Sequence, residues 1–372
     1  MGCKWKNCKL GDVITFQRGK DLPRSKMIDG PFPVIGSNGI IGWHNEYTSS
    51  GPVITVGRSG NTGRPFMYKG AAWAHNTTLY VKEFKEAIPE YIYYFLQTLN
   101  LSSHAGGSAV PTLNRNHVHT LDISVPDLDT QARIATTLAA IDTEIKLNNQ
   151  INDYLAELAS TMYEGFCSHA SGRMGTLADL VELRKDSTKA GKHPELPYMP
   201  IDVIPMKSMS VAEFRPNDEA KSSLQMFQCD DIIVGAMRVY FHRVVLAPCD
   251  GITRNTCFVL RPRTRLLREY ALLTCFQPEA IEYASVRSKG STMPYAVWNN
   301  SFETYPVLIP SESELEEFSK RLAPIVNQLR DSYKTNNCLT DMRDTLLPKL
   351  MSGEIDVSRI NITQLNNHLS DC

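Results

Sequence analysis

The sequence predicts an α+β fold, in which two duplicated, β-rich α/β domains are separated by two long helices that form an antiparallel coiled coil. Two observations lead to this prediction. A series of sequence features recurs in the second half of the chain, and each copy of the series ends in an apolar heptad repeat. The predicted segments are a first domain (1–126), a first helix (127–166), a second domain (167–309), a second helix (310–350) and a C-terminal tail (351–372).

The duplication rests on six features that occur twice in the same order. Each copy opens with a short apolar segment, KLGDVITF at Lys9–Phe16 and TLADLVEL at Thr176–Leu183. A proline and an aromatic residue then lead into a predicted strand at Pro31 and again at Pro197. The other pairs are β-rich runs from Gly51 and Asp230, Asn-Thr dipeptides at Asn76 and Asn255, short helices at Glu90–Gln97 and Glu269–Gln277, and Gly-Ser-containing runs at Gly106–Pro126 and Lys289–Pro310.

The two helices carry an apolar a/d stripe with a polar centre, which is formed by Asn148, Asn152, Ser332 and Asn336. An antiparallel alignment sets Asn148 against Asn336 and Asn152 against Ser332, between layers that are mostly apolar. A heptad slip would place the amides against leucine, and an unpaired buried amide costs about 1–3 kcal/mol. The polar centre therefore selects one register at some cost in stability. Packing of each helix on its own domain remains the alternative.

Two residues do not fit this helix pair. Arg343 falls opposite Ile141 and is expected to extend its charged end outward. Pro324 should kink the second helix or restart it. If the pairing holds, the helices form a rod of about 50 Å with a domain at each end. Such a rod could hold two domains over successive turns of DNA, which repeat about every 34 Å.

Charge is segregated along the 372-residue chain, although the net charge is only −1. Residues 1–126 carry 13 basic and 8 acidic side chains, and residues 167–309 carry 17 and 15. The helix 127–166 carries 2 basic and 7 acidic side chains, and residues 310–372 carry 7 and 10. A polyanion would be attracted to the domains and repelled by the helices. Ordinary scatter of surface charge is the alternative.

The compartment is predicted from what the sequence lacks. Nine scattered cysteines without a C-x-x-C pair indicate reduced thiols, and no secretory signal or membrane span is visible. A cytoplasmic protein is therefore expected.

No catalytic or metal-binding motif is found, neither a P-loop nor H-E-x-x-H. Asp127, Glu144 and Lys146 resemble a metal-dependent nuclease motif, but Glu144 and Lys146 lie on the predicted helix, away from Asp127. His117 and His119 would share one face of a strand, where a surface or DNA-facing pair is favoured over a metal site. The sequence thus predicts no catalytic residue and no metal.

The chain resembles the specificity subunits of type I restriction–modification systems. The resemblance is carried by IDTEIKLNNQINDYLAELA (Ile141–Ala159), by LLPKLMSGEIDVS (Leu346–Ser358) and by the Gly-Ser and proline run before each helix. It implies two target recognition domains, each reading one part of a split site in double-stranded DNA. It also implies two methyltransferase subunits and motor–nuclease subunits as partners. S-adenosylmethionine, ATP and Mg²⁺ are then expected on those partners, and no cofactor on this chain.

The first helix departs from this family by ending in MYEGFCSHASG rather than LLPKLMSG, so the two helix ends are not equivalent.

Candidate DNA-binding residues are basic and polar side chains on predicted turns and in β-rich runs, because phosphates are held by Arg and Lys and base edges by polar groups. For each of them a solvated surface role is the alternative. The candidates are Arg18, Lys20, Asn38, Arg58, Asn61, Arg64 and Arg115 in the first domain, and Arg238, Tyr240, His242, Arg243, Arg254, Lys289 and Tyr295 in the second.

Two alternative functions remain open. The chain could be a coiled-coil adaptor whose domains bind proteins or glycans, which the low net charge slightly favours. It could also be the specificity subunit of a phage-defence system that only methylates DNA, because that difference lies in the partner subunits.

Overall fold

The computed structural model describes residues 5–106, 111–211 and 213–360. It divides into two units, the first formed by Met1–Thr143 with Asp341–Cys372 and the second by Glu144–Thr340. Part of the predicted tail (361–372) and residues 107–110 of the first Gly-Ser run lie outside the described residues.

The first unit combines short strands, short helices and the beginning of a long helix. In chain order these are β1 (Trp5–Lys9), α1 (Leu10–Val13), β2 (Ile14–Arg18), β3 (Phe32–Gly36), β4 (Gly39–His44), β5 (Val53–Gly57), β6 (Pro65–Tyr68), β7 (Trp73–Ala74), β8 (Thr78–Phe84), α2 (Pro89–Thr98), β9 (Ala105–Gly106), β10 (Thr112–Leu113), α3 (Arg115–His119), β11 (Asp122–Pro126) and α4 (Leu128–His169), whose second half belongs to the second unit.

The core of the first unit lies against the sheet β2-β8-β5-β6, whose neighbouring strands are antiparallel. Phe16, Val56 and Leu79 from this sheet are buried with Tyr91 and Phe95 of α2. The first unit also contains a smaller sheet, β4-β3-β7, and an antiparallel strand pair, β1–β11.

The second unit repeats this arrangement. Its elements are β12 (Gly172–Thr176), α5 (Leu177–Leu180), β13 (Val181–Arg184), β14 (Ser187–Thr188), β15 (Leu224–Phe227), β16 (Ile232–Gly235), β17 (Val244–Leu246), β18 (Gly251–Arg254), β19 (Cys257–Pro262), α6 (Arg268–Phe276), α7 (Pro278–Val286), β20 (Pro306–Pro310) and α8 (Glu312–Ser352), whose last turns belong to the first unit.

The main sheets of the two units have the same strand order, β2-β8-β5-β6 in the first and β13-β19-β16-β17 in the second. In both units the strand before the short opening helix pairs with the strand before a long helix, as β1–β11 and as β12–β20. The predicted α+β fold class is confirmed, and the repeated sheet order supports the duplication.

The copies differ where the sequence predicted equivalent strands. After Pro197 the second unit forms two isolated bridges at Tyr198, with Arg215 and Ile252, whereas the first unit forms β3 after Pro31. His117 and His119 were expected on a strand, but both lie on α3. The expectation of a shared strand face for these two histidines is therefore wrong.

The halves of α4 and α8 that belong to the second unit pack in antiparallel directions. The Asn148 Nδ2 donates to Asn336 Oδ1 at 3.1 Å, and Asn152 Nδ2 donates to Ser332 Oγ at 2.9 Å. Further along, the rings of Phe166 and Phe318 lie 4.4 Å apart between centroids. The structure therefore pairs the polar residues as the heptad alignment predicted.

In the first unit the end of α8 packs beside the start of α4. Leu138, Ile141 and Leu350 are fully buried there. Arg343 does not simply extend into solvent, because its Nη1 lies 3.1 Å from Asp142 Oδ1. This ion pair neutralises the charge that looked misplaced in the heptad pattern.

Proline does not end the second helix. Helix α8 runs from Glu312 to Ser352 without interruption, so the expected restart at Pro324 is wrong. The helix begins with a capping box, in which the Ser311 N–H donates to Glu314 Oε2 at 3.0 Å. After its end, Gly353 adopts a φ of +76°, and a Cβ there would lie 2.8 Å from Trp5 Nε1. Glycine therefore allows the chain to leave α8 against Trp5.

Candidate nucleic-acid interface

A basic cleft of about 520 Å³ opens in the first unit beside the main sheet. Arg18 ends β2, Arg58 follows the last residue of β5, and Arg115 begins α3, so three separate elements bring these guanidinium groups to one cleft. Asn114 and the exposed side chain of His117 also line it.

The cleft carries uncompensated positive charge. Within the described ranges, no carboxylate forms an ion pair with Arg18, Arg58 or Arg115. Burial lowers the pKa of Arg58, and the charge of Arg18 lowers it further. Two cations held together without a carboxylate favour the binding of an anion, such as a phosphate.

A second cleft, of about 610 Å³, lies in the second unit and has a different lining. Lys185 and Arg184 provide positive charge, but Arg184 lies 3.4 Å from carboxylate oxygens of Glu182 and Asp186. Much of the remaining lining consists of amide, thioether and aromatic side chains, from Gln225, Met237, Asn255, Phe258, Met293, Tyr295, Trp298 and Asn299.

Main-chain hydrogen bonds fix the residues that line the first cleft. The Arg58 N–H donates to Thr77 O at 2.8 Å, and the Arg58 carbonyl accepts the Leu113 N–H at 2.9 Å. Next to them, Thr112 pairs with Gly106 in the short β9–β10 ladder. The backbone of the cleft is thus set by pairing between distant parts of the chain.

The second cleft uses the same hydrogen bonds. The Ala236 N–H donates to Thr256 O at 2.8 Å, and the Ala236 carbonyl accepts the Ala296 N–H at 2.8 Å. Tyr295 pairs with Lys289 in an antiparallel bridge, as Thr112 does with Gly106 in the first unit. The two clefts therefore lie at equivalent places in the duplicated units.

The predicted residues are only partly brought together. Arg18, Arg58 and Arg115 meet in the first cleft. Tyr295 lines the second cleft, and its backbone forms a β-bridge with Lys289. Most of the others are exposed outside these clefts, namely Lys20, Asn38, Asn61, Arg64, Tyr240 and Arg254. Arg238 is half-buried, with a left-handed φ of +50°.

Two of the predicted DNA-contact residues, His242 and Arg243, have partners within the protein. His242 is 8% exposed, and its Nε2 lies 2.8 Å from the carbonyl oxygen of Phe276. The guanidinium of Arg243 donates to the carbonyls of Ile201, Asp202 and Ile204, so it stabilises a loop of its own unit. His242 is thus buried, whereas Arg243 is half-buried with its guanidinium bonded to main-chain carbonyls.

Several residues of the second cleft were missed, among them Lys185, Asn255 and Trp298. A signal existed for Lys185, because the opening segments align it with Arg18. Trp298 had no such signal, since a buried aromatic residue is normally part of a core.

The described residues contain no group of His, Cys, Asp and Glu side chains arranged to hold a metal ion. His119 is engaged within the protein, because its Nε2 accepts the Phe16 N–H at 2.8 Å. Within the same ranges, no helix is long and apolar enough to cross a membrane.

Comparison with known proteins points to one class. Residues 3–157 match a family model described as the type I restriction modification DNA specificity domain. The specificity subunit of the type I restriction enzyme MjaIX of Methanocaldococcus jannaschii is 21% identical over 309 residues, 73% of this chain and 70% of the relative. That of HindI from Haemophilus influenzae is 20% identical over 356 residues, 72% of this chain and 78% of the relative.

The fold agrees with this class. The crystal structure of the type I restriction–modification S subunit from M. genitalium aligns with a TM-score of 0.58 at 15% identity, covering 94% of this chain and 96% of that one. The match of residues 3–157 to that domain indicates a DNA specificity protein, and the fold is consistent with this class. The domain match, the relatives and the fold all support a specificity subunit of a type I restriction–modification system, and the resemblance predicted from the sequence is confirmed.

Proposed function

We propose that this subunit reads a split target in double-stranded DNA, with one part read by each unit, and that it carries out no catalysis itself. The observation that carries the proposal is the pair of equivalent clefts, each built on the same hydrogen-bonded frame. A duplicated frame with different side chains suits the reading of two different short sequences.

The charge of the first cleft supports DNA as the ligand. Three guanidinium groups without a carboxylate partner suit phosphate oxygens or the acceptor edge of guanine. The amide and aromatic groups of the second cleft suit the donor and acceptor pattern of base edges. Protein or glycan binding, the adaptor alternative, would not require this concentration of guanidinium groups.

The partners in this proposal are two methyltransferase subunits and the motor–nuclease subunits. Support for a docked partner comes from α4, where Leu147, Ile151, Tyr154 and Leu158 are between 46% and 71% exposed. Their spacing places them on one face of the helix, as in a seam that receives a second helix. We assign this apolar stripe to a methyltransferase subunit, because an exposed apolar seam is normally covered by a partner.

The proposed roles of the subunits also determine which of them bind cofactors. S-adenosylmethionine, ATP and Mg²⁺ would bind to the partner subunits, which transfer a methyl group to adenine N6 or cut unmodified DNA. This chain contributes the choice of sequence. A system that only methylates would use the subunit in the same way, without the motor–nuclease.

The proposal is tested by mapping methylated adenines in a host that carries this gene with its neighbouring methyltransferase gene. The control host lacks only this gene. A motif of two short specific parts around a fixed gap, lost in the control, is the expected result. Identical methylation in both hosts, with an active methyltransferase, would refute the proposal. A salt-dependent gel shift of the assembled complex separates DNA binding from the adaptor alternative.

A further inference from the structure

We infer that in each cleft one cation, Arg18 or Lys185, holds a DNA phosphate, whereas Arg58 and Tyr295 select bases. This inference rests on the proposed function and assigns roles within its two sites. It follows from which cleft positions are chemically the same in the two units and which differ.

The shared position lies just after equivalent short helices. Helices α1 and α5 each begin with a capping box, in which Asp12 and Asp179 accept the backbone N–H of the N-cap residue. Counting along the chain from each cap, Arg18 corresponds to Lys185. Both line their clefts, so the duplication keeps a cation here. A group that serves both units regardless of sequence suits phosphate, which carries no sequence information.

The positions that differ are attached to equivalent backbone. Arg58 corresponds to Ala236, because both make the same two main-chain hydrogen bonds. Thr112 corresponds to Tyr295, because Thr112 forms an antiparallel pair with Gly106 as Tyr295 does with Lys289. Since main-chain bonds hold these positions, their side chains can change without loss of the fold. That freedom suits residues that select a sequence.

The chemistry of the two side chains gives them different tasks. The Arg58 guanidinium can donate two parallel hydrogen bonds to O6 and N7 of guanine, a contact that gives roughly 5- to 150-fold discrimination between bases. The Tyr295 ring is 49% exposed at the second cleft. Its hydroxyl can donate or accept, and its ring can contact a thymine methyl group.

The experiment uses the complete complex and reads both the methylation motif in the host and DNA affinity against salt. Arg58→Ala should relax the base preference in the first part of the motif only. Tyr295→Thr introduces the residue found at the equivalent position, Thr112, and should relax the base preference in the second part only. Arg18→Ala and Lys185→Ala should leave the motif unchanged. Each should weaken binding evenly across sequences and lower the slope of log K against log salt by about 0.9.

Matched controls remove a cation that is paired on a helix surface, with Arg133→Ala in the first unit and Arg321→Ala in the second. These should change neither motif nor slope. If Arg58→Ala fails to assemble, Arg58→Lys decides, because lysine keeps the charge but cannot form the paired contact. It should keep the affinity and still relax the first part.

Several results would overturn the inference. These are an unchanged motif with both Arg58 variants, changes in both parts from one substitution, or an altered motif with Lys185→Ala. They are distinct from failure of the proposed function, in which the wild-type complex itself would produce no motif that depends on the gene.

Discussion

The amide of Asn152 donates a 2.9 Å hydrogen bond to the hydroxyl of Ser332, across the pair of long helices in the second unit. Both side chains are buried, at 3% and 4% exposure. One layer away, Asn148 and Asn336 are bonded in the same sense. In this alignment the amides of Asn148 and Asn152 each find a polar partner on the other helix, which is the physical basis for expecting the polar layers to fix register.

Replacing Asn336 by leucine should destabilise the second unit by about 1–3 kcal/mol, because Asn148 then loses its acceptor in a half-buried position. The double variant Asn148→Leu/Asn336→Leu should recover most of this loss, since no polar group of the pair remains unsatisfied. Urea unfolding of the two single variants and the double variant measures the coupling between the residues. Additive effects would show that the pair is not energetically linked.

Register can be tested separately from stability. Replacing both polar pairs by leucine, at Asn148, Asn152, Ser332 and Asn336 together, should raise the unfolding midpoint while allowing the helices to slip, because no polar partner is left unpaired and the apolar layers no longer distinguish neighbouring heptads. The consequence should appear in the host as altered methylation or an altered gap between the two parts of the motif. A methylation pattern identical to the wild type would contradict the role assigned to these asparagines.

A buried ion cluster should dominate the stability of the second unit. Arg268 is 1% exposed, and its guanidinium lies 2.8 Å from Asp230 and 2.6 Å from Glu269, which is fully buried. Arg268→Met should cost about 3–5 kcal/mol, because it removes a buried cation from the fully buried carboxylate of Glu269. The control Arg321→Met breaks an exposed pair with Glu317 and should cost at most about 1 kcal/mol. Equal losses in chemical unfolding would show that burial does not decide the effect.

The first unit should lose stability in mild acid. His119 accepts the Phe16 N–H, which requires a neutral ring nitrogen. Burial lowers the pKa of His119, and the charges of Arg115 and Lys85 lower it further. The folded state therefore binds a proton less readily than the unfolded chain. The stabilising contribution is complete above the unfolded pKa of about 6.5 and is lost as pH falls through the folded pKa.

Thermal unfolding between about pH 8 and pH 5 checks this, because only histidine changes charge over most of that range. His119→Gln provides the comparison, since its amide oxygen can accept the same N–H without titrating. As the pH falls, the wild type should lose more stability than the His119→Gln variant. Parallel curves at all pH values would mean that protonation of His119 does not affect folding.

The sequence predicted the helix pairing because heptad positions alone determine which side chains face each other. It also gave Arg18, Arg58 and Arg115 as candidates for DNA contact, since basic residues on turns are common at anion sites. It could not predict that the three share one cleft, because that depends on main-chain pairing between Arg58 and Leu113. It could not predict the position of the His242 ring, because the ring follows a short 3₁₀ turn and contacts Phe276, which is remote in sequence.

The apolar stripe on α4 should be needed for assembly but not for folding. Leu147 and Ile151 are 46% and 50% exposed, so changing both to glutamine removes little apolar contact within the chain. The unfolding midpoint of the isolated subunit should change little, whereas co-purification with the neighbouring methyltransferase should be lost, because a helix seam depends on its central apolar residues. Met174→Gln, at a residue 68% exposed elsewhere in the same unit, is the matched control and should assemble normally. Retained assembly of the Leu147/Ile151 variant would place the methyltransferase on another surface, while loss of assembly with both variants would indicate a general effect of reduced surface hydrophobicity.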